Sequence, residues 1–233
     1  MKHSKRYREV FTKVERGSEY ELDEAIVKVK DTATSKFDET VEISLNLGVD
    51  PRKADQMIRS TVALPHGVGK VVRVLVLCKE DRISEAQDAG ADYAGADEYI
   101  EKIQEGWLDF DACIGTPDVM PQISKVARVL GPRGLMPNPK TGTVTNDITA
   151  AIKEIKAGRL SFRVDKYGIV HLPVGKASFA KDQLMDNIKA LILTIQRLRP
   201  STAKGQYFKN ITLASTMGPG VRISRTSVLE AIR

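Results

Sequence analysis

The 233-residue sequence has only two cysteines and three histidines. Two thiols cannot build a disulfide framework. Cys78 and Cys113 both fall in strand-like apolar runs, "VRVLVLC" and "DACIG", and are expected as buried free thiols of a reducing compartment. His3, His66 and His171 stand far apart, with no His-x-x-x-His and no cysteine pair, so the spacing offers no metal site. No apolar run approaches the roughly 18 residues that a membrane span needs. The first residues, "MKHSKRYREVFTKVERG", lack the apolar core of a secretion signal, which points to a cytoplasmic protein. Nucleotide fingerprints are missing too. "HGVGKV" has the wrong glycine spacing for a phosphate loop, and Val71 stands where Ser or Thr would hold magnesium. "VRVLVLC" runs into "KEDRI" rather than a glycine-rich turn. Neither catalysis nor a cofactor is expected.

What is present is a cationic surplus, unevenly placed. The chain carries 36 basic and 30 acidic residues, net +6. Residues 1–67 hold 12 of each, residues 68–159 hold 12 and 14, and residues 160–233 hold 12 and 4. All the positive excess therefore sits in the last third. A one-sided basic surface is the footprint of a polyanion binder, or simply a solvated face.

The hydrophobic pattern changes character twice along the chain. A helix fits around Asp23 to Asp31. In "VEISLNLG", Val41, Ile43, Leu45 and Leu47 alternate with polar residues, which reads as a strand with one open face. Asp50 and Pro51 in "VDPRKADQMIRS" suit the start of a short helix. After "ALPHGVGK" the continuous apolar runs "VVRVLVLC" and "FDACIGT" read as strands covered on both faces. Helical stretches separate or follow them, at Ile83 to Ala89, Ala96 to Trp107, and "PDVMPQISKVARVL" behind Thr116 and Pro117. "NDITAAIKEIKAG" adds another, with Asn146 as cap and Gly158 as stop. Strand and helix alternate here, as in a small parallel α/β sheet. Two-face strands then return. "RLSFRVD" and "KYGIVHLPVG" look like hairpin partners turning at Lys166 to Gly168. A long helix carries Leu184, Ile188, Leu191, Ile195 and Leu198 on one stripe and ends at Pro200. "FKNITLAS" is a further strand.

Neither end segment makes a core alone, whereas together they suffice for a two-layer domain. The expected architecture is α/β and α+β in two domains. Residues 1–67 and 159–233 form a discontinuous two-layer α+β domain, and 68–158 an inserted α/β domain.

Binding chemistry concentrates in the discontinuous domain. Lys36 is a candidate phosphate contact. Phe37 could stack on a base or belong to the core. Thr40 and Glu42 share the open face of their strand, where Glu42 could accept from a base amino group or a 2′-hydroxyl, or simply pair with a lysine. Asp165 and Lys166 sit in the hairpin turn. The uncharged loop "ASTMGPGV" is flanked by Lys204, Lys209, Arg222 and Arg225. Ser215 and Thr216 offer donors and acceptors, Met217 a pliable apolar contact, and Gly218 and Gly220 room for a ligand backbone. The loop "LGPRGLMPNPKTGTV" suits an ordered connection, although Arg133 and Lys140 could touch phosphate. Two other classes stay open: an α/β enzyme holding a nucleotide in the inserted domain, and a nonspecific DNA binder.

At "LGPRGLMPNPKTGTV", "DPRKADQMIRSTVALPHGVGK" and "STMGPGVRI" the sequence resembles the family of large-subunit ribosomal protein number one, in its bacterial form, from about residue 5 to residue 224. The resemblance implies an RNA-binding domain made from both chain ends and an inserted Rossmann-like three-layer domain. It implies binding to a folded region of large-subunit rRNA at the mobile stalk, among other large-subunit components. Release of deacylated tRNA from the exit site and repression of the protein's own operon mRNA are implied as well, with a monomer when free. The family's RNA contacts map onto Lys36, Phe37, Thr40, Glu42, Asp165, Lys166, Asn210, Ser215, Thr216, Met217 and Gly218, with Asn210 standing where the family carries serine. The tail "RTSVLEAIR" lies beyond the family pattern and is assigned nothing.

Overall fold

The structure, a computed structural model, describes residues 4–15 and 17–232, apart from the side chain of Lys140. His3 and the Lys140 side chain, both considered above, lie outside the described residues. In chain order the elements are α1 (Lys5–Phe11), α2 (Leu22–Thr32), β1 (Thr40–Leu47), β2 (Arg59–Ala63), β3 (Val74–Leu77), α3 (Ile83–Asp88), β4 (Tyr93–Gly95), α4 (Asp97–Gln104) and β5 (Ala112–Gly115). Then follow α5 (Met120–Ile123), α6 (Ala127–Leu130), α7 (Ile148–Lys156), β6 (Arg159–Arg163), β7 (Ile169–Lys176), α8 (Lys181–Arg197), β8 (Phe208–Ser215), β9 (Val221–Ile223) and α9 (Arg225–Ala231). Contacts group the chain into two units, Met1–Gly69 with Leu160–Arg233, and Lys70–Arg159. Among the described residues, no helix is long and apolar enough to cross a membrane.

The first unit is built on the alternation in β1. Val41, Ile43, Leu45 and Leu47 are buried, while Glu42 is exposed. Each buried aliphatic side chain stabilises the fold by about 1.5–3 kcal/mol. β1 lies centrally in an antiparallel sheet of order β7-β1-β8-β9. Its strands therefore come from both ends of the chain. α2 and α8 cover the apolar side, with Leu184, Ile188, Leu191 and Ile195 of α8 in the same core. Among the described residues, the other side has no helix layer. It presents Glu42, Ser44, Asn46, His171, Asn210, Thr212 and Arg222. Ser44 and His171 lie opposite each other, Oγ to Nδ1 at 3.0 Å.

The second unit has a parallel sheet of order β4-β3-β5. Val74 and Val76 pack toward α3 and α7, Leu75 and Leu77 toward α4, α5 and α6. Both faces of β3 are thus dry, as its unbroken apolar run anticipates. Cys78 and Cys113 are buried free thiols, and burial pushes both pKa values up.

Several local expectations are corrected. Asp50 starts no α-helix. Its carboxylate accepts from the Arg52 amide at 3.1 Å, and its own amide donates to the buried Gln56 side chain at 2.8 Å. The segment makes one 3-10 turn, Ala54–Gln56, and passes into strand β2. Residues 117–130 are not one helix but short α and 3-10 pieces. Pro121 has no amide to donate, and the Ser124 hydroxyl takes the Met120 carbonyl at 3.0 Å. The cap of α7 is Asp147, which accepts from the Ala150 amide at 2.9 Å, rather than Asn146. β6 and β7 are not hairpin partners: β6 pairs with β2, and β7 with β1. Only the turn between them survives. The loop after α6 is held by its own bonds, with the Asn138 amide donating to Thr143 Oγ1 at 2.8 Å and Gly115 bridged to Val144.

Candidate RNA interface

Loops from opposite ends of the chain meet at one end of the open sheet. The Thr216 amide donates to the Thr40 carbonyl at 3.0 Å, and Thr216 Oγ1 accepts from the Thr40 amide at 3.0 Å. Next to this bridge Glu39 is 1% exposed. Its carboxylate accepts from the Ser35 amide and the Met217 amide, each at 2.9 Å. Burial by itself opposes ionisation of Glu39. The amide donors outweigh it and hold the carboxyl below its ordinary range. One buried charge therefore ties the loop bearing Lys36 and Phe37 to the loop bearing Met217.

The tie leaves selected side chains facing water. Phe37 is 55% exposed and Met217 49%, both high for apolar side chains on loops with anchored backbones. Lys36 and Thr216 are exposed and Thr40 is half-buried. Lys176 Nζ donates to Thr40 Oγ1 at 2.9 Å, adding a cation at the edge.

Ser215 departs from the expectation. It is buried, and among the described residues its hydroxyl has no hydrogen-bond partner, although it lies near enough to Glu39 to favour the carboxylate. The alternation of β8 turns it to the core side, so it underlies the loop rather than offering a donor at the surface. Gly218 has an internal role as well. A Cβ there would meet Ser215 Oγ at 2.3 Å, so the loop closes this tightly only without a side chain.

The remaining site residues lie at the far end of the sheet. Asp165 Oδ1 accepts from the Tyr167 and Ile169 amides, both at 2.8 Å. These donors, with His171 nearby, outweigh burial and lower its pKa. Lys166 is exposed beside the 70% exposed ring of Tyr167. Asn210 is exposed opposite Asn46, six residues along β1 from Thr40, or about 20 Å at 3.4 Å per residue. The expected residues thus form two clusters at the ends of one strand, with Glu42 near the first. Sequence reasoning missed Glu39, since one of its partners lies 178 positions away.

Charge divides along the same lines. The first unit holds 24 basic and 16 acidic residues, the second 12 and 14. The second unit has a cavity of about 500 Å³ beyond the carboxyl ends of its parallel strands, lined in part by Lys79, Glu80, Asp81, Asp97, Glu98 and Asp118. Five carboxylates against one amine repel a phosphate, which counts against the nucleotide-enzyme reading. Among the described residues, no three His, Cys, Asp or Glu are grouped to hold a metal ion.

Two anchored loops thus lie at one end of a polar sheet face, on the unit that carries the cationic surplus. The chain belongs to the ribosomal protein L1p/L10e family, whose model matches residues 29–219, and that family is one of ribosomal proteins, not enzymes. It is 58% identical over 221 residues to a Chlorobaculum tepidum protein named large ribosomal subunit protein uL1, covering 95% of this chain and 96% of the relative. Proteins of that name from Chlorobium chlorochromatii, over 219 residues, and Chlorobium luteolum, over 221, are each 59% identical. These two alignments cover 94% and 95% of this chain, and 96% of each relative.

Proposed function

We propose that this protein is a constituent of the large ribosomal subunit in the cytoplasm. In this reading it binds large-subunit rRNA through Lys36, Phe37, Thr40, Glu42, Thr216, Met217 and Gly218 at one end of β1, and Asp165, Lys166 and Asn210 at the other. Residues 1–67 and 159–233 act as the RNA-binding domain and 68–158 as a Rossmann-like insertion. The observation that carries this is the Glu39 tie, which brings the two chain ends into one anchored surface while leaving Phe37 and Met217 exposed. Surplus cations attract the polymer and the uncharged loop reads its shape. A site that reads shape accepts any RNA presenting that shape, so its own operon mRNA is a second ligand. Placement at the mobile stalk and assistance to exit-site tRNA complete the reading.

The test is titration of the full chain with a large-subunit rRNA fragment. Met217→Asp is expected to weaken binding by about 1–3 kcal/mol. Lys36→Ala is expected to flatten the salt slope by about one unit or less. Wild-type affinity in Met217→Asp would sink the assignment.

A further inference from the structure

The first helix enters the site through one side chain. Ser4 caps α1, accepting from the Tyr7 amide at 3.2 Å, and Val10 is the buried residue of the helix. Arg6, on the first turn, reaches out of α1 with both arms occupied. Its Nη1 donates to Thr34 Oγ1 and its Nη2 to the Met217 carbonyl, each at 3.1 Å. The same Met217 peptide has its amide held by Glu39. Met217 is therefore gripped on both backbone groups, the N–H by an anion and the C=O by a cation, from two different elements. Its side chain alone is left to project. α1 lies outside residues 29–219, the stretch that the family model matches.

We propose that Arg6 is a positioning residue of the RNA-binding surface, acting through the Met217 carbonyl and Thr34 rather than through a phosphate. This rests on the reading of the Met217 loop as an RNA contact. A guanidinium presents its donors in a fixed fork, so it can span the two loops and hold their spacing. A bond to a charged donor restrains a half-exposed loop more than a neutral one does. Arg6 thus trades a phosphate contact for order in the loop.

The salt dependence of rRNA binding separates this role from a direct one. Each phosphate neutralised contributes about 0.7–0.9 to the slope of log affinity against log salt. Arg6→Met is expected to weaken binding of a large-subunit rRNA fragment about tenfold, the scale of one hydrogen bond to a charged donor, with the slope unchanged. Arg6→Lys, which keeps reach and one donor, should recover part of the loss. Circular dichroism establishes that each variant is folded. Should Arg6→Met fail to fold, Arg6→Gln serves in its place. A slope flattened by about one unit makes Arg6 a phosphate contact and overturns the proposal, as does wild-type affinity in Arg6→Met. Met217→Ala serves as control: if it too binds like wild type, the Met217 loop itself is no RNA contact. If Met217→Ala weakens binding and Arg6→Met does not, only the role of Arg6 falls.

Discussion

Glu39→Gln changes one atom in a side chain that touches no expected ligand, yet it should loosen both loops. The carboxylate accepts two amide bonds, from Ser35 and Met217. The glutamine keeps one acceptor oxygen and turns an NH2 toward the other amide, so one donor is left facing another donor. A hydrogen bond to a charged group contributes about 1.5–3 kcal/mol, so the expected loss is about 2 kcal/mol for Glu39→Gln and about 4 kcal/mol for Glu39→Ala. Hydrogen exchange of the β1 amides at increasing urea reads this for the first unit separately from the second. The pH dependence gives an independent check. The Glu39 pKa is lowered in the fold from its ordinary value of 4.5. A group lowered in this way contributes stability that is fully present above the unfolded value and lost as pH falls through the folded one. The difference between wild type and Glu39→Gln should therefore be constant from neutral pH down to the unfolded value of 4.5 and shrink below it. Equal stability at pH 7, to within about 0.5 kcal/mol, would refute the claim that this charge holds the loops.

Gly218→Ala should destabilise the first unit, because its Cβ would meet Ser215 Oγ at 2.3 Å; Ser215→Ala in the same chain should restore much of the loss, and no recovery would mean that the clash lies elsewhere. Ser215→Ala alone should cost no more than about 1 kcal/mol by urea unfolding, since the hydroxyl it removes has no hydrogen-bond partner among the described residues and only lies near the Glu39 carboxylate. Asn187→Ala should cost about 3 kcal/mol. That side chain is fully buried, accepting from the His66 amide at 3.0 Å and donating to the Gly67 and Val174 carbonyls at 2.9 and 2.8 Å. Residues 1–67 joined by a short linker to 159–233 should fold and keep most rRNA affinity, and a folded chain of this kind that binds nothing would move the site to residues 68–158.

The legible parts of the fold are those fixed by local periodicity. β1 and β8 appear from alternation, β3 from its unbroken apolar run, and α8 from its stripe of leucine and isoleucine. Pairing was not legible. β6 and β7 adjoin in sequence and look like a hairpin, yet each finds a better partner in β2 and β1, a choice made by the shared core rather than by the turn. The broken 117–130 segment shows the limit of spacing as a guide, because apolar positions at helical intervals do not reveal that Pro121 and Ser124 interrupt the backbone ladder. In the site, Lys36, Phe37, Thr216 and Met217 are legible as exposed chemistry next to strand ends. Glu39 is not. In "KFDETVE" it is one acidic residue among three, and only the return of a distant loop makes it the buried one.

The strand order β7-β1-β8-β9 has a consequence for how the polypeptide emerges from the machine that makes it. β1 is finished at Leu47, but its two neighbours begin only at Ile169 and Phe208. At translation rates of about 5–20 residues per second, roughly 10 to 30 seconds pass before the second arrives. The contiguous 70–159 stretch can fold during that wait. Until β7 emerges Val41, Ile43, Leu45 and Leu47 have no strand to pair with, and until β8 emerges one edge of β1 stays open, so the newborn chain carries a sticky, half-made strand for most of its synthesis.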